Sequence, residues 1–267
     1  MNVNKILNFI WGAKMKKIVL ITGASSGIGR AAALRYADKS YDLILVARRL
    51  DKLEELRDDI LGLKNIEIKL LQIDISNSKE VENSINSLEN KWKKIDILVN
   101  SAGLALGMDK IHESEYNSFD NVVDVNIKGL LYMSKKIISL MLEAKVNGHV
   151  VNLGSTAGRG AYAGGGVYCA SKAAVKTLSD AMRIDLIDTP IRVTNIEPGM
   201  VETPFSNIRF RGDDKKAENV YKGIEALTPD DVAEVIVYTT SLPQNVQVCE
   251  LMLTPNKQAT GTYIHRV

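Results

Sequence analysis

Apolar and polar positions alternate along this chain in blocks typical of strands followed by helices. Short apolar runs predict strands at residues 17–21, 42–46, 96–99, 149–153 and 192–196. The first of these is rich in β-branched residues, the pattern of a strand buried on both faces of a sheet. Longer stretches predict helices over residues 50–61, 79–92, 118–142 and 171–186. Strands that alternate with helices predict an α/β fold built on one doubly wound parallel sheet.

The same pattern bears on where the domain begins and ends. No repeat, low-complexity run or linker interrupts residues 15–267, so one domain is expected there. Residues 1–14 contain an apolar run that is too short to span a bilayer, which needs roughly 20 residues, and we interpret them as an N-terminal extension. Thr228 followed by Pro229 predicts an N-cap and a helix that continues through Ser241.

A glycine-rich turn follows the first strand and leads into a predicted helix. The turn fits G-x-G-x-x-A in the strand–turn–helix context that a dinucleotide-binding fingerprint requires. Glycines let backbone N–H groups approach a pyrophosphate at the positive end of a helix. The alternative is a glycine-rich turn that binds nothing. The candidate cofactor residues of this turn are Gly23, Ser25, Ser26, Gly27, Ile28 and Gly29.

The second strand ends in two arginines, which bears on the identity of the cofactor. A carboxylate at this place would bind the ribose 2′-hydroxyl of NAD, whereas an arginine accommodates the 2′-phosphate of NADP. Arg48 and Arg49 stand here, without an acidic residue in the position that NAD favours. Guanidinium groups suit bidentate recognition of phosphate. The residues therefore favour NADP, the alternative being that both arginines are ordinary surface residues.

Tyr168 and Lys172 lie four residues apart on a predicted helix, and Ser155 follows a predicted strand. The spacing of four places both side chains on one helix face. A phenol has a reference pKa of about 10, and a nearby ammonium together with an oxidised nicotinamide would lower it. Tyr168 could then act as a general base or acid, with Ser155 binding the substrate oxygen. The competing reading is a chance pair of helix neighbours and an ordinary turn serine.

With these motifs in this order, the chain from Met15 onward resembles the short-chain dehydrogenases/reductases. The resemblance implies a seven-stranded parallel Rossmann sheet of order 3-2-1-4-5-6-7, and it implies a homotetramer. Asn126 matches the asparagine of the family's water-mediated proton relay, and Ser101 departs from the family's usual second asparagine. The further cofactor residues that the resemblance implies are Asp74, Ile75, Asn100, Ala102, Gly103, Pro198, Gly199, Val201 and Thr203, together with Tyr168 and Lys172.

Within the family, the sequence from Ile196 to Val201 and the segments around Gly103 and Phe205 resemble the NADP-dependent 3-hydroxy acid dehydrogenases. That branch includes serine and allo-threonine dehydrogenases. The resemblance implies reversible oxidation of a β-hydroxyl to a carbonyl. The alternatives are a reductase of bulkier neutral carbonyls, such as steroid, ketoacyl or pterin substrates, and an NADP-binding regulatory protein without activity.

Between residues 201 and 226 the chain becomes polar and rich in Arg and Lys. In the family this region covers the substrate, so we expect a lid with one or more short helices. A hydroxy acid carries a carboxylate, for which an arginine fork is a suitable partner. Arg209 and Arg211 on the lid and Arg159 beside Ser155 are the candidates, although each could equally be a solvated surface residue.

Composition narrows the remaining possibilities. The net charge is +2, from 34 basic and 32 acidic residues, which is not the electrostatic footprint of a nucleic-acid or membrane-surface protein. The two cysteines, Cys169 and Cys249, are too few for a disulfide scaffold, so we expect a reducing cytoplasm. The sequence has no Cys/His cluster with zinc spacing, and we expect no metal. A small molecule is the expected partner.

Overall fold

Side chains along the strands point alternately into two apolar cores, one on each face of a single sheet. The computed structural model describes residues 16–267. In the first strand, Ile18 and Leu20 pack into one core, and Val19 and Ile21 pack into the other. Every residue of that strand is buried. A strand covered on both faces is mostly apolar, which explains the apolar run at residues 18–21 of the sequence.

The sheet has seven strands, all parallel, in the order β3-β2-β1-β4-β5-β6-β7. This arrangement confirms the predicted fold class. The strands are β1 (Ile18–Thr22), β2 (Asp42–Ala47), β3 (Ile68–Gln72), β4 (Ile95–Asn100), β5 (His149–Leu153), β6 (Arg192–Pro198) and β7 (Glu250–Leu253).

Helices cover both faces of the sheet. The helices are α1 (Gly27–Asp38), α2 (Leu50–Leu61), α3 (Ser78–Asn86), α4 (Tyr116–Val123), α5 (Leu130–Glu143), α6 (Gly166–Asp185), α7 (Phe205–Arg209), α8 (Asp214–Tyr221) and α9 (Pro229–Ser241). Buried residues of α1, α2 and α9 belong to one core, and those of α3, α5 and α6 belong to the other. The chain is thus wound on both sides of the sheet.

Three predicted helices differ from the observed elements. The helix predicted over 171–186 begins earlier, at Gly166, and ends at Asp185. The helix predicted over 79–92 ends at Asn86, and a separate 3₁₀ turn, Asn90–Lys93, follows it. Leu88 and Trp92 are buried in the core. Their spacing of four residues matches the period of an α-helix, although no α-helix joins them. The helix predicted over 118–142 is interrupted by a π-helical turn, Asp124–Gly129, between α4 and α5. Such turns occur often at functional sites.

The start of α9 and the region of the predicted lid follow the sequence closely. Thr228 caps α9 in a reciprocal capping box with Asp231, and Pro229 occupies the first turn. Two short helices, α7 and α8, lie within residues 201–226. The predicted extension of residues 1–14 lies outside the described residues, so its separation from a single domain of residues 15–267 stays a prediction. Within residues 16–267, none of the helices is both long and apolar enough to cross a bilayer.

A buried histidine, the first residue of β5, is hydrogen-bonded to a threonine of β6. His149 is 1% exposed, and its Nε2 lies 2.8 Å from Thr194 Oγ1. The Thr194 hydroxyl donates to Val248 O at 2.7 Å, so it accepts from His149 and places the proton on Nε2. Nδ1 is buried without a hydrogen-bond partner among the described residues. Burial, with a smaller effect of Arg192, lowers the pKa of His149 to about 3.

This pKa predicts a loss of stability in mild acid. His149 takes up a proton near pH 6.5 in the unfolded protein but not in the folded protein. Its contribution to the free energy of unfolding is therefore complete above that pH and decreases as the pH falls. We expect it to lower the free energy of unfolding by about 2 kcal/mol between pH 7 and pH 5. Urea unfolding of His149→Gln should show a correspondingly weaker pH dependence. An identical pH dependence in both proteins would contradict this assignment.

Candidate active site

A cavity of about 750 Å³ lies at the carboxyl ends of the central strands. This is where open parallel sheets bind their ligands. Most of the predicted site residues line it: Gly23, Ser25, Ser26, Gly27, Ile28, Arg48, Arg49, Asp74, Ile75, Ala102, Gly103, Ser155, Tyr168, Lys172, Pro198, Gly199, Val201, Thr203 and Arg209. The predicted residues that do not line it are Gly29, Asn100, Asn126, Arg159 and Arg211.

The glycine turn after β1 brings the N-terminus of α1 to the cavity. Gly23 and Gly27 have φ values of +68° and +53°, a backbone conformation that favours glycine. A Cβ on Gly29 would lie 2.4 Å from the carbonyl oxygen of Gly23, so a glycine is needed at position 29 for the turn to be this tight. The Ser26 side chain makes no capping hydrogen bond to α1. Because Ser26, Gly27 and Ile28 line the cavity, the positive end of this helix lies at the cavity, which suits an anion.

Two arginines extend this anion-binding end of the cavity. Arg49 Nη2 donates to Ser25 Oγ at 3.0 Å and to Ser26 Oγ at 3.2 Å, so its guanidinium reaches across the glycine turn. Arg48 Nη1 lies 4.0 Å from Asp74 Oδ2. Both arginines are exposed and line the cavity. Their arrangement suits a phosphate group next to the helix N-terminus.

Tyr168 and Lys172 lie on one face of α6, as their spacing predicted. Lys172 is 7% exposed, and its Nζ donates to Leu153 O at 2.7 Å. The same Nζ lies 5.9 Å from the centre of the Tyr168 ring. The end of β5 therefore fixes the position of the ammonium group relative to the phenol.

Burial shifts the pKa of both groups toward their neutral forms. It lowers the pKa of Lys172 to about 8. It also raises the pKa of Tyr168, the effect being only partly offset by the Ser155 hydroxyl and by Arg209. The predicted lowering of the Tyr168 pKa by Lys172 is therefore not produced by the chain itself. The desolvation of the buried phenol outweighs the attraction of nearby charges.

Asn126 occupies the π-helical turn between α4 and α5 and is 2% exposed. Its Oδ1 accepts from Leu104 N at 2.8 Å, and its Nδ2 donates to Leu104 O and to Ser171 Oγ, each at 2.9 Å. Ser171 Oγ in turn donates to Tyr168 O at 2.7 Å. Asn126 thus joins the loop after β4 to the first turns of α6 rather than lining the cavity.

Gly103 leaves open the space between two groups of the predicted proton relay. A Cβ at this position would lie 3.3 Å from Asn126 Oδ1 and 3.4 Å from Lys172 Nζ. The first contact would be unusually tight, and the second would be at the short end of van der Waals contact. The glycine therefore keeps the approach between these two polar atoms unobstructed, although the relay itself stays a prediction.

Ser155 follows β5 and lines the cavity beside Tyr168. Its Oγ accepts from Ala157 N at 3.1 Å and has a long contact, 3.4 Å, with Pro198 O. The hydroxyl is therefore oriented by the turn that it caps. It lies between the helix of Tyr168 and the Pro198–Gly199 segment after β6.

Arg209 is the candidate substrate arginine that the structure places in the cavity. Its Nε donates to Gly107 O at 3.1 Å, and its Nη1 donates to Tyr162 Oη at 2.9 Å. Its Cζ lies 5.8 Å from the centre of the Tyr168 ring. Nη2 is buried and lacks a hydrogen-bond partner among the described residues. One donor of the fork is therefore available beside the phenol.

The other two candidate arginines bind protein groups. Arg159 forms ion pairs with Glu197 and Glu250, and Arg211 donates to Glu115 Oε2 and to a serine hydroxyl, each at 2.9 Å. Neither lines the cavity. The carboxylate-binding role proposed for them from sequence is not supported, because acidic partners brought close by the fold already hold both side chains.

Asn100 also lies outside the cavity. Its Nδ2 donates to Ser134 Oγ and to Asn152 Oδ1, each at 2.9 Å, and the residue is 3% exposed. The side chain links β4 to β5 and to α5. The side chain therefore helps to hold the end of β4 in place beside the cavity, whereas the sequence predicted that Asn100 would bind the cofactor.

Several cavity residues were not predicted from the sequence. Tyr162 and Phe205 lie beside Tyr168, Phe205 with its ring centre 5.6 Å away. Gln258 accepts from Met200 N at 2.8 Å. The C-terminal segment also contributes Gly261, Ile264 and Arg266 to the wall. Tyr162 had a local signal, an aromatic in the glycine-rich loop before α6, but nothing in the sequence pattern places the C-terminal segment here.

The sequence matches the short chain dehydrogenase family over residues 17–213. The chain is a short-chain dehydrogenase. YdfG of Escherichia coli (strain K12), an NADP-dependent 3-hydroxy acid dehydrogenase, is 42% identical over 251 residues, 93% of this chain and 99% of its own length. Sulfoacetaldehyde reductase 2 of Chromohalobacter salexigens is 38% identical over 249 residues, 93% of this chain and 98% of its own. The closed form of serine dehydrogenase complexed with NADP+ has a TM-score of 0.87 at 42% identity and covers 94% of this chain and 100% of that one.

The cavity of this short-chain dehydrogenase fits a nicotinamide dinucleotide that carries a 2′-phosphate. Glycines at the N-terminus of α1 leave space for a pyrophosphate. Arg48 and Arg49 provide positive charge where the 2′-phosphate is expected. Within residues 16–267, no three His, Cys, Asp or Glu side chains are grouped to hold a metal ion.

Proposed function

We propose that this short-chain dehydrogenase reversibly oxidises the β-hydroxyl of small 3-hydroxy acids to the carbonyl, with NADP as the acceptor. Serine, allo-threonine and 3-hydroxypropionate represent the substrate class. The observation that carries the proposal is Arg209, which has a buried unpaired donor and lies in one cavity with Tyr168 and Ser155. The names of its relatives, a 3-hydroxy acid dehydrogenase and a serine dehydrogenase, support the same class.

The cofactor is held by the strand ends that line the cavity. When bound, NADP exchanges hydride through its nicotinamide and, in its oxidised form, adds a positive charge. The glycine turn binds the pyrophosphate, and Arg48 and Arg49 bind the 2′-phosphate. The remaining length of the dinucleotide would lie against other residues that line the cavity: Asp74, Ile75, Ala102, Gly103, Pro198, Gly199, Val201 and Thr203.

Tyr168 removes the proton from the substrate hydroxyl, or returns it when the carbonyl is reduced. The Ser155 hydroxyl donates to the same substrate oxygen. Lys172 is fixed by Leu153 O and supplies a cation near the phenol. Because burial raises the pKa of Tyr168, its phenolate is favoured only when positive charge accumulates in the cavity. Asn126 and Lys172 then connect the site to solvent through the relay that the family resemblance implies.

Arg209 binds the carboxylate of the substrate through Nη2. Its other contacts, to Gly107 O and Tyr162 Oη, orient the fork from the lid helix α7. A second relative is named for sulfoacetaldehyde, which also carries an anion close to its carbonyl. An anion-binding arginine near Tyr168 is therefore consistent with both relatives.

Two other functions remain alternatives. A reductase of bulkier neutral carbonyls would use the same Tyr168 and Ser155 without needing Arg209. A regulatory NADP-binding protein would need the glycine turn but not the convergence of Ser155, Tyr168 and Lys172. That convergence favours an enzyme.

We further propose that the protein works in the cytoplasm as a homotetramer. Cys169, buried, and Cys249, exposed, are both free, which suits a reducing compartment. The family resemblance implies a tetramer assembled partly through the helices that carry Asn126 and Tyr168. Exposed apolar side chains, such as Tyr116 on α4 and Ile184 on α6, are available for contacts between subunits.

The first test measures initial rates with NADP and with NAD for L-serine, 3-hydroxypropionate, 3-hydroxybutyrate and a hydroxysteroid. We expect NADP-linked turnover of the small acids. Tyr168→Phe should lose about 100-fold or more of kcat, because it lacks the group that transfers the proton, while NADPH binding measured by fluorescence is retained. Turnover of the steroid alone would discard the substrate class. Tight NADPH binding without any turnover would favour the regulatory alternative.

Arg48→Asp and Arg49→Asp test the cofactor assignment. Each change replaces a phosphate-binding cation with an anion, and we expect at least a tenfold fall in the ratio of kcat/KM for NADPH to that for NADH. The larger effect is expected for Arg49, since it spans the glycine turn. Arg57→Asp, at a half-buried position of α2 that does not line the cavity, is the matched control. An unchanged ratio in both cavity variants would refute the assignment.

Arg209→Gln tests recognition of the carboxylate. Loss of a charged hydrogen bond should raise KM for 3-hydroxypropionate by roughly 10- to 100-fold. The KM for a small neutral alcohol should change far less, because that substrate has no carboxylate. Arg211→Gln, which alters the other arginine of the predicted lid, should not change the KM of one substrate more than that of the other. Equal effects of Arg209→Gln on both substrates would exclude Arg209 from this role.

A further inference from the structure

The turn that carries Ser155 is a short, hydrogen-bonded unit between β5 and α6. Ser155 is the N-cap of the 3₁₀ turn Thr156–Gly158, and Arg159 is the C-cap. The backbone N–H of Gly158 donates to Ser155 O at 2.9 Å, and that of Arg159 donates to Thr156 O at 3.1 Å. A displacement of Arg159 would therefore be transmitted through the turn to Ser155.

Two glycines pack this turn closely against its neighbours. A Cβ on Gly158 would lie 2.7 Å from the carbonyl carbon of Lys172, so the turn touches the backbone of α6 at the level of the active-site lysine. Gly154 N donates to Ile196 O at 2.7 Å. A Cβ on Gly154 would lie 3.0 Å from Glu197 Cγ. The turn is therefore placed between α6 and the end of β6.

Arg159 completes this arrangement with an ion pair to a buried carboxylate. Its Nε contacts Glu197 Oε2, and Glu197 is 1% exposed. The second oxygen of Glu197 accepts from Asn195 Nδ2 at 2.7 Å. Arg159 Nη2 also contacts Glu250 Oε2 on β7, at 2.5 Å. The arginine thus joins the end of β6 and the start of β7 to the turn that carries Ser155.

Glu197 places the ion pair next to the wall of the cavity. Glu197 directly precedes Pro198, where the cavity wall after β6 begins. The Ser155 hydroxyl has its long contact with Pro198 O on the same segment. A buried carboxylate is strongly unfavourable without its cation, so the folded protein holds Arg159 closely against it.

We propose that Arg159 and Glu197 form a positioning pair that sets the Ser155 hydroxyl against the Pro198–Gly199 segment. Arg159 acts through Ser155 and touches neither substrate nor cofactor. The pair holds constant the distance between the group that binds the substrate oxygen and a segment proposed to hold the cofactor. The inference rests on the proposed function insofar as Ser155 and this segment serve one reaction.

Arg159→Met is the primary test. We expect kcat to fall about 10- to 100-fold, because small displacements of a reacting group have effects of that size. The Kd for NADPH and the KM for the substrate should stay within about twofold, since the cavity lining is unchanged. Arg159→Lys, which keeps a cation within reach of Glu197, should retain most of kcat. A kcat of Arg159→Met within twofold of that of the unaltered protein would overturn the proposal.

A double variant separates positioning from stability. Arg159→Met leaves Glu197 buried without its cation, and adding Glu197→Gln removes that charge while keeping an acceptor for Asn195. We expect the double variant to recover the Tm but not kcat, because the link to the turn is still absent. Recovery of both would overturn the proposal. Lys176→Met removes another cation from Glu250 without touching the turn, and should leave kcat unchanged.

The assay uses 3-hydroxypropionate and a small neutral alcohol in parallel. If the unaltered protein oxidises only the alcohol, the proposed substrate class fails, while the ratio of variant to unaltered kcat still tests the pair. A low kcat ratio on either substrate, with unchanged NADPH binding, supports the pair.

Discussion

Burial of the central strands on both faces is the constraint on which the rest of the structure depends. Such strands are mostly apolar along their length, and polar side chains that they bury, such as Asn152 and Thr194, are hydrogen-bonded within the protein. Groups that can bind a ligand therefore collect where the strands end. Parallel strands bring those ends to one edge of the sheet. The glycine turn after β1, the arginines after β2, Ser155 after β5 and Pro198 at the end of β6 meet there for this reason. The same edge receives the positive end of α1.

The low polarity of the interior then determines the electrostatics of the site. It raises the pKa of Tyr168, lowers that of Lys172 and holds His149 neutral. Each shift disfavours a charged form that water would otherwise stabilise. A positive charge beside the half-buried phenol would oppose this shift, since an opposite charge stabilises the phenolate.

Hydrogen bonds and ion pairs fix the remaining geometry. Asn126 ties the loop after β4 to α6, and Arg159 ties the Ser155 turn to β6. Arg211 joins the lid to the start of α4. All three look like candidate ligand-binding groups in the sequence, since polar side chains near a motif invite that interpretation. Their partners are distant in the chain, and only the folded arrangement shows that those partners are part of the protein.

The sequence by itself determined five of the seven strands, most of the helices, the glycine turn, the two arginines after β2, and the chain positions of Ser155, Tyr168 and Lys172. These follow from local rules: apolar periodicity, the conformational freedom of glycine, and the spacing of side chains on a helix. The tertiary structure decided which of the three candidate substrate arginines lines the cavity, where the C-terminal segment lies, and the direction of the Tyr168 pKa shift. Those outcomes depend on contacts between distant residues and on desolvation, neither of which is a property of a local segment.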